Sequence, residues 1–206
     1  MSKSLVKMTA IVPAAGMSVR MGQNKLLLNY RGKPLVAHAV DILLESKVDE
    51  VVVVLGHEAE KVREGLAGRP VRFIENPDYR LGLSTSVRAG FEAVSSGSGA
   101  IMIYLADQPL LEAEEVNSLI RAYAEARKTN KSIVVPFFRG RRGNPVILDC
   151  SYKEAVLDVV GDTGCRRVIK RHPDQVLVVE METDHAVRDV DTMEDYEILI
   201  SEAAPG

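Results

Sequence analysis

A short segment near the start of the chain combines small residues with two cations. Residues 11–28 run from an apolar stretch through three small residues, 14–16, to Arg20 and Lys25. Because alanine and glycine have almost no side chain, an anion can approach the backbone N–H groups closely, and the two cations add positive charge. The segment is predicted to bind nucleotide phosphates. The structural alternative is an ordinary strand-to-helix turn with two solvated cations.

Two common phosphate-binding loops do not fit this segment. The Walker loop ends in Gly-Lys-Ser/Thr, whereas Gly22 is followed here by Gln23. The dinucleotide-binding fingerprint, counted from Gly16, needs glycine at the positions of Ser18 and Met21. The sequence therefore disfavours a dinucleotide-binding oxidoreductase.

Three aspartates are candidates for holding a divalent cation. An apolar run over 101–106 is predicted to be a buried strand that places Asp107 at the carboxyl edge of the sheet, where a carboxylate suits Mg²⁺. Asp189 and Asp191 alternate on an extended segment and are expected to point the same way. The alternatives are that Asp107 forms a turn or a helix N-cap, and that Thr192 is an N-cap followed by acidic residues.

Residues 82–90 place small and hydroxyl side chains at the predicted start of a helix. Free N–H groups and the hydroxyls of Ser84 and Ser86 can bind a nucleobase edge or a phosphate there. A simple N-cap at Ser84 or Thr85 is the alternative.

Two later segments could serve a second substrate. Arg139–Pro145 offers cations and a turn that would suit an acceptor phosphate, although a solvated basic hairpin explains it equally well. Residues 161–167 could bring a carboxylate and cations to the acceptor, or could cap the next helix.

Short runs rich in Val and Ile alternate along the chain with helical patterns. Strands are predicted at Met8–Pro13, Glu50–Leu55, Val71–Glu75, Ala100–Leu105, Ser132–Phe137, Pro145–Leu148 and Gln175–Val179, and helices at Pro34–Ser46, Glu112–Lys128 and from Met193 onward. Strands that are continuously apolar suit a sheet covered on both faces. The sequence predicts an α/β fold with a mostly parallel central sheet and helices on both faces.

Length, composition and charge restrict the class of protein. With 206 residues, 46% hydrophobic and 27% charged, the chain is predicted to form one domain, with a nucleotide-binding half over residues 8–110 and an acceptor-binding half over 111–206. The net charge of −3 argues against broad nucleic-acid binding. The sequence shows neither an apolar run of about 20 residues nor a signal peptide, so a cytoplasmic location is expected. Cys150 and Cys165 are expected to be free thiols, and the scattered histidines indicate no metal or nucleophile cluster.

The phosphate-binding segment resembles the signature Gly-x-x-x-Arg-Met-Gly-x-x-Lys of nucleotidyltransferases with a glycosyltransferase-A-like fold. The matching residues are Gly16, Arg20, Met21, Gly22 and Lys25. Five further motifs follow in order, at 82–90, 105–109, 140–145, 161–166 and 189–195. Together the six motifs look like those of the molybdenum cofactor cytidylyltransferases, within the molybdopterin nucleotidyltransferase family.

The resemblance implies a three-layer Rossmann-like nucleotide-diphospho-sugar transferase fold. It implies transfer of CMP from CTP to the terminal phosphate of molybdenum-loaded molybdopterin, with release of pyrophosphate. Ala14 and Ala15 favour CTP, because guanylyl-transferring relatives usually show glycines there. The resemblance further implies Mg²⁺, with Mn²⁺ as an alternative, held by Asp107 and by Asp191, or less favourably by Asp189.

The implied site residues fall into three groups. They are the catalytic Arg20, Lys25 and Asp107; the nucleotide-binding Pro13, Ala14, Ala15, Gly16, Ser18, Gly82, Ser84 and Ser86; and the acceptor-binding Arg142, Gly143, Asn144, Asp162 and Arg166. The implied partners are the nucleotide, the pterin and, transiently, a molybdenum hydroxylase, with neither nucleic acid nor membrane. Three alternatives stay open: GTP as the donor, a sugar or polyol phosphate as the acceptor, and a non-catalytic carrier of the finished cofactor.

Overall fold

A mostly parallel β-sheet forms the centre of the protein, whose computed structural model describes residues 6–158 and 165–203. The strands are β1 (Met8–Ala14), β2 (Asn29–Tyr30), β3 (Lys33–Pro34), β4 (Glu50–Leu55), β5 (Arg72–Glu75), β6 (Ala100–Ile103), β7 (Ile133–Phe138), β8 (Arg141–Arg142), β9 (Val146–Asp149) and β10 (Val176–Glu180). The helices are α1 (Leu35–Glu45), α2 (Ala59–Gly65), α3 (Leu83–Ala93), α4 (Ala113–Ala126), α5 (Lys153–Leu157), α6 (Arg166–Arg171) and α7 (Met193–Ala203).

The strand order in the sheet is β10-β7-β9-β6-β1-β4-β5. Strand β1 lies between β4 and β6, parallel to both, and β4 continues in parallel to β5. Strand β9 is antiparallel to both β6 and β7, and the short β8 pairs antiparallel with β7. Strands β2 and β3 form a separate hairpin. One sheet thus includes strands from both halves of the chain.

Alternating side chains of the strands supply two apolar layers. In β1, Ala10 and Val12 pack with α1, α2 and α4 on one face of the sheet, whereas Ile11 packs with α3, α5 and α6 on the other. Successive strand residues point to opposite faces, so a continuously apolar strand is buried from both sides. The three-layer α/β fold with a mostly parallel sheet is therefore confirmed.

A third, smaller apolar cluster fixes the last helix against the phosphate-binding segment. Its buried members are Met21, Tyr30, Leu35, Val190 and Leu199. The Tyr196 hydroxyl also donates a hydrogen bond to the carbonyl of Asn29 at 2.6 Å. Helix α7, which is distant in sequence, is thereby held beside the first strand's loop.

The start of α3 differs from one sequence alternative. The helix begins at Leu83, directly after Gly82, so an N-cap at Ser84 or Thr85 is wrong. Gly82 has a φ of 109°, a conformation that glycine adopts without strain. The Thr85 hydroxyl lies inside the first turn and donates to the Gly82 carbonyl at 2.9 Å.

Among the helices in the described part of the chain, none has the length and apolar character that crossing a membrane requires.

Helix α3 approaches β1 closely only because residue 90 is glycine. A Cβ at Gly90 would lie 2.4 Å from Cγ2 of Ile11, which is fully buried. We expect Gly90→Ala to lower the free energy of unfolding by about 1–2 kcal/mol, because overpacking outweighs the gain of about 1 kcal/mol in helix propensity.

Urea denaturation measures this change, with Gly97→Ala as the control. A Cβ at Gly97 has open space around it, so that variant should stay within about 0.5 kcal/mol of the wild type. Equal stabilities of the two variants would show that the α3–β1 contact tolerates the extra methyl group.

Candidate active site

A cleft of about 510 Å³ opens where β1 and β6 end, between the loop after β1 and the start of α3. Ligands of open α/β sheets bind at this carboxyl edge. The cleft is lined by Pro13, Ala15, Gly16, Met17, Ser18, Val19, Arg20, Lys25, Leu26, Tyr79, Arg80, Gly82, Leu83, Ser86, Leu105, Ala106, Asp107 and Asp191.

The loop over residues 15–25, here called the phosphate loop, turns back on itself and directs Lys25 into the cleft. Ser18 and Gly22 have left-handed backbone conformations, with φ of 49° and 67°. The Ser18 hydroxyl accepts a hydrogen bond from the backbone N–H of Lys25 at 3.1 Å. Asn24 then caps the following turn through the N–H of Leu26. Local hydrogen bonds therefore set the direction of the lysine.

The Lys25 ammonium bridges two carboxylates from distant parts of the chain. Its Nζ lies 2.6 Å from Oδ2 of Asp107 and 2.7 Å from Oδ1 of Asp191. The side chains of Lys25 and Asp107 are only 16% and 17% exposed. Arg20 lies 3.6 Å from Asp191, and its side chain is 75% exposed. We call these four residues the Lys25 cluster.

Backbone hydrogen bonds hold the two carboxylates of this cluster near each other. The N–H of Val190 donates to the carbonyl of Asp107 at 2.9 Å. The Asp195 carboxylate accepts from the N–H groups of Asp191 and Thr192, and the Thr192 hydroxyl accepts from the N–H of Asp195. This is a reciprocal helix cap. The capping alternative for Thr192 is thus correct, and the cap itself positions Asp191.

Charge and burial perturb the titration of two groups in this region. Burial opposes the charge on Lys25, but the attraction and hydrogen bonds of Asp107 and Asp191 outweigh it, so its pKa is raised. Burial raises the pKa of Asp189, and the charge of Asp107 adds to the effect. Within the described residues, Oδ1 of Asp107 is buried and has no hydrogen-bond partner.

Asp189 and Asp191 do not share one direction as the alternation predicted. Asp191 lines the cleft, whereas Asp189 lines a second cavity of about 240 Å³ beside α7. Gln108 accounts for the difference, because its side-chain amide donates to Asp189 and to the Ala186 carbonyl. Asp191 is therefore the partner that Asp107 and Lys25 reach.

Most of the predicted nucleotide-binding residues line the cleft, and two do not. Ala14 is fully buried and packs in the core with α1, so its side chain does not face the cleft. Ser84 is also buried but is not part of the cleft wall, whereas Ser86 is. The remaining members, Pro13, Ala15, Gly16, Ser18 and Gly82, all line it.

The predicted acceptor-binding residues lie next to the cleft, not in its wall. Strand β9 begins at Val146, opposite the last residue of β6, so residues 142–144 lie at the same sheet edge as Asp107. A Cβ at Gly143 would lie 2.3 Å from the Ala186 carbonyl oxygen, so this segment packs tightly. Burial, reinforced by the charge of Arg166, lowers the pKa of Arg142. Asp162 lies outside the described residues.

The structure also shows site residues that the sequence did not reveal. Tyr79 and Arg80 line the cleft, with the Arg80 guanidinium 5.7 Å from the centre of the Tyr79 ring. A Cβ at Gly56 would lie 2.6 Å from Cβ of Ala15, so this glycine allows the end of β4 to approach the phosphate loop. A glycine directly after a buried strand is the only sequence signal among these three. Asn76 and its contacts are described below.

Comparisons with known proteins agree with this geometry. The family model of the MobA-like NTP transferase domain matches residues 10–176. The chain is similar to nicotine blue oxidoreductase of Paenarthrobacter nicotinovorans, at 33% identity over 93% of this chain and 96% of the relative.

Two solved structures share the fold. One is the homologue of Mycobacterium tuberculosis Rv0371c from Mycobacterium sp. strain JC1, with a TM-score of 0.84 and 28% identity, covering 95% of this chain and 96% of the other. The second is a nucleotidyl transferase from Methanothermobacter thermautotroptrophicus, with a TM-score of 0.80 and 23% identity, covering 95% of this chain and 97% of the other. The resemblance drawn from the sequence motifs is confirmed at this level: the chain belongs to the MobA-like NTP transferase domain family of nucleotidyltransferases.

Proposed function

We propose that the protein transfers CMP from CTP to the terminal phosphate of molybdenum-loaded molybdopterin. An oxygen of the acceptor phosphate attacks the α-phosphorus, the bond to the β-phosphate oxygen breaks, and pyrophosphate leaves with that electron pair. The observation that carries the proposal is the Lys25 cluster, which faces a cleft whose other wall is a loop of small residues. Such a transfer needs mainly positioning and charge neutralisation, which this cleft offers.

The phosphate loop and its cations receive the triphosphate. Ala15 and Gly16 line the cleft with almost no side chain, so phosphate oxygens can reach the backbone N–H groups. Arg20 is largely exposed and paired only loosely with Asp191, so its guanidinium can move to the leaving phosphates. Lys25 needs only to exchange one carboxylate oxygen for a phosphate oxygen.

The carboxylates of the Lys25 cluster fit a divalent cation that arrives with the nucleotide. The described residues include no group of three or more His, Cys, Asp or Glu side chains able to hold a metal alone. Mg²⁺ usually takes one or two carboxylates and completes its shell with water and substrate phosphate. Asp107, with one buried unpartnered oxygen, and the half-exposed Asp191 are suited to that role, and Mn²⁺ could replace Mg²⁺. When bound, the ion neutralises charge on the reacting phosphates.

The acceptor phosphate is assigned to the segment beside the cleft. Arg142 is more than half-buried and carries an Nε that has no partner among the described residues. Arg166 is close enough to disfavour its charge, so an anion between the two guanidinium groups would relieve their repulsion. Gly143, Asn144 and Asp162 belong to the same proposed acceptor region, and delivery of the product to a molybdenum hydroxylase stays a prediction.

An oxidoreductase is the second candidate, because nicotine blue oxidoreductase matches nearly the whole chain. Against it stands the Lys25 cluster, since electron or hydride transfer makes no use of two carboxylates bridged by a lysine. The two functions are separable in solution: the first releases pyrophosphate, and the second consumes a reduced cofactor without releasing any.

The first test is pyrophosphate release from purified protein with Mg²⁺ and molybdenum-loaded molybdopterin, comparing CTP, GTP, ATP and UTP. We expect release with CTP, dependent on the pterin. A preference for GTP would move the assignment to guanylyl transfer. Absence of release with all four, together with oxidation of NADH or NADPH by a redox-active substrate, would favour the oxidoreductase.

The same assay tests the Lys25 cluster. We expect Lys25→Gln and Asp107→Asn each to lower kcat by at least about 100-fold, because each removes charge placed at the reacting phosphates. Lys128→Gln is the control, since Lys128 pairs with Glu125 on an exposed helix face. A wild-type rate in either cluster variant would contradict the assignment.

A stability measurement tests the fit to a cation without any turnover. Lys25→Met leaves two carboxylates facing each other, so in EDTA we expect a loss of about 1–3 kcal/mol in the free energy of unfolding. Mg²⁺ should restore part of the loss by binding between the carboxylates.

Arg20→Met is the matched control for this measurement. Its guanidinium is mostly exposed, so the loss should stay below about 1 kcal/mol. Equal losses in the two variants, with no response to Mg²⁺, would show that the carboxylates do not form a cation site.

A further inference from the structure

The wall of the cleft opposite the charged cluster contains a buried hydroxyl, that of Ser86. This residue is 4% exposed and lines the cleft one turn into α3. Its Oγ accepts a hydrogen bond from the side-chain Nδ2 of Asn76 at 3.0 Å. Across the described residues the Ser86 hydroxyl donates to no acceptor.

The orientation of the Asn76 amide is fixed by a neighbour that can only donate. Its Oδ1 accepts from the backbone N–H of Asp78 at 3.0 Å, so the oxygen must face Asp78 and the nitrogen must face α3. The two hydrogens of Nδ2 then go to the hydroxyl of Thr85, at 2.9 Å, and to Ser86. Asn76 is itself only 4% exposed.

The usual local acceptor for a helical serine is already occupied. A serine in a helix often donates to the carbonyl four residues earlier, which for Ser86 is Gly82. That carbonyl already accepts from both the backbone N–H and the hydroxyl of Thr85. The lone pair of Ser86 is therefore engaged by Asn76, while its hydrogen is left to face the cleft.

We propose that Asn76 is a positioning residue that makes Ser86 a hydrogen-bond donor to an acceptor atom on the nucleobase, such as the carbonyl oxygen of a pyrimidine ring. The inference rests on the proposed nucleotidyl transfer and adds the group that reads the base. The phosphates belong to the opposite wall, where Arg20, Lys25 and the phosphate loop supply the charge. Ser86 lies among neutral neighbours on α3, so an uncharged edge of the ligand is its natural partner.

The test is the equilibrium affinity for CTP and for ribose 5-triphosphate, which lacks the base, measured by calorimetry with Mg²⁺ and without acceptor. We expect Ser86→Ala to weaken CTP binding by about threefold to tenfold, the value of one hydrogen bond, and to leave ribose 5-triphosphate unchanged. Asn76→Asp should weaken CTP binding by about tenfold or more, because a carboxylate only accepts and turns the Ser86 hydrogen away from the cleft.

The double variant separates the direction of the hydroxyl from the added charge. Once Ser86 is alanine, no hydroxyl remains to be turned, so Asn76→Asp should cost CTP no more than it costs ribose 5-triphosphate. Asn117→Asp is the matched control, since Asn117 is a buried asparagine that contacts the backbone of Lys47 on another helix. It should leave both affinities unchanged.

The outcomes distinguish this inference from the proposed function. CTP binding that is unaffected by Ser86→Ala, or equal losses for CTP and ribose 5-triphosphate, would overturn the role of Ser86 alone. Failure of the wild type to bind any nucleoside triphosphate would overturn the proposed function itself.

Discussion

The arrangement of the site depends on one interaction, the Lys25 ammonium held between the carboxylates of Asp107 and Asp191. Two carboxylates this close to each other in a partly buried cleft repel, and each loses solvation. The lysine compensates both charges at once. Without a cation at this point, the loop after β6 and the segment before α7 would be driven apart.

Much of the surrounding structure serves to bring these three groups together. Lys25 follows the first strand, Asp107 follows the central β6, and Asp191 precedes the last helix, so the fold must be complete before they meet. The parallel sheet places the first two at one edge. The third is placed by the backbone bond from Val190 to Asp107, by the Thr192–Asp195 cap, and by the apolar cluster under α7.

The sequence predicted what local pattern determines and missed what depends on packing. Asp107 was predictable because an apolar run leads directly to it. The choice between Ser84 and Ser86 was not, because residues two apart in a helix point in very different directions and the starting residue sets which of them faces the cleft. Asn76 gave no signal, since its role depends on how closely β5 approaches α3. Asp189 differed because a buried Gln108, which no periodicity reveals, draws it away.

Charge balance in the free cleft limits how a nucleotide can bind. The two cations of the Lys25 cluster are already matched by two carboxylates, so the cluster alone offers no excess positive charge to a triphosphate. A polyphosphate entering unaided would meet Asp107 and Asp191 as well as Lys25 and Arg20. A divalent cation that accompanies the nucleotide removes this conflict, because it takes over the carboxylates and releases the lysine and arginine to the phosphates. The ion pairs of the free protein therefore favour joint binding of metal and nucleotide over binding of either alone.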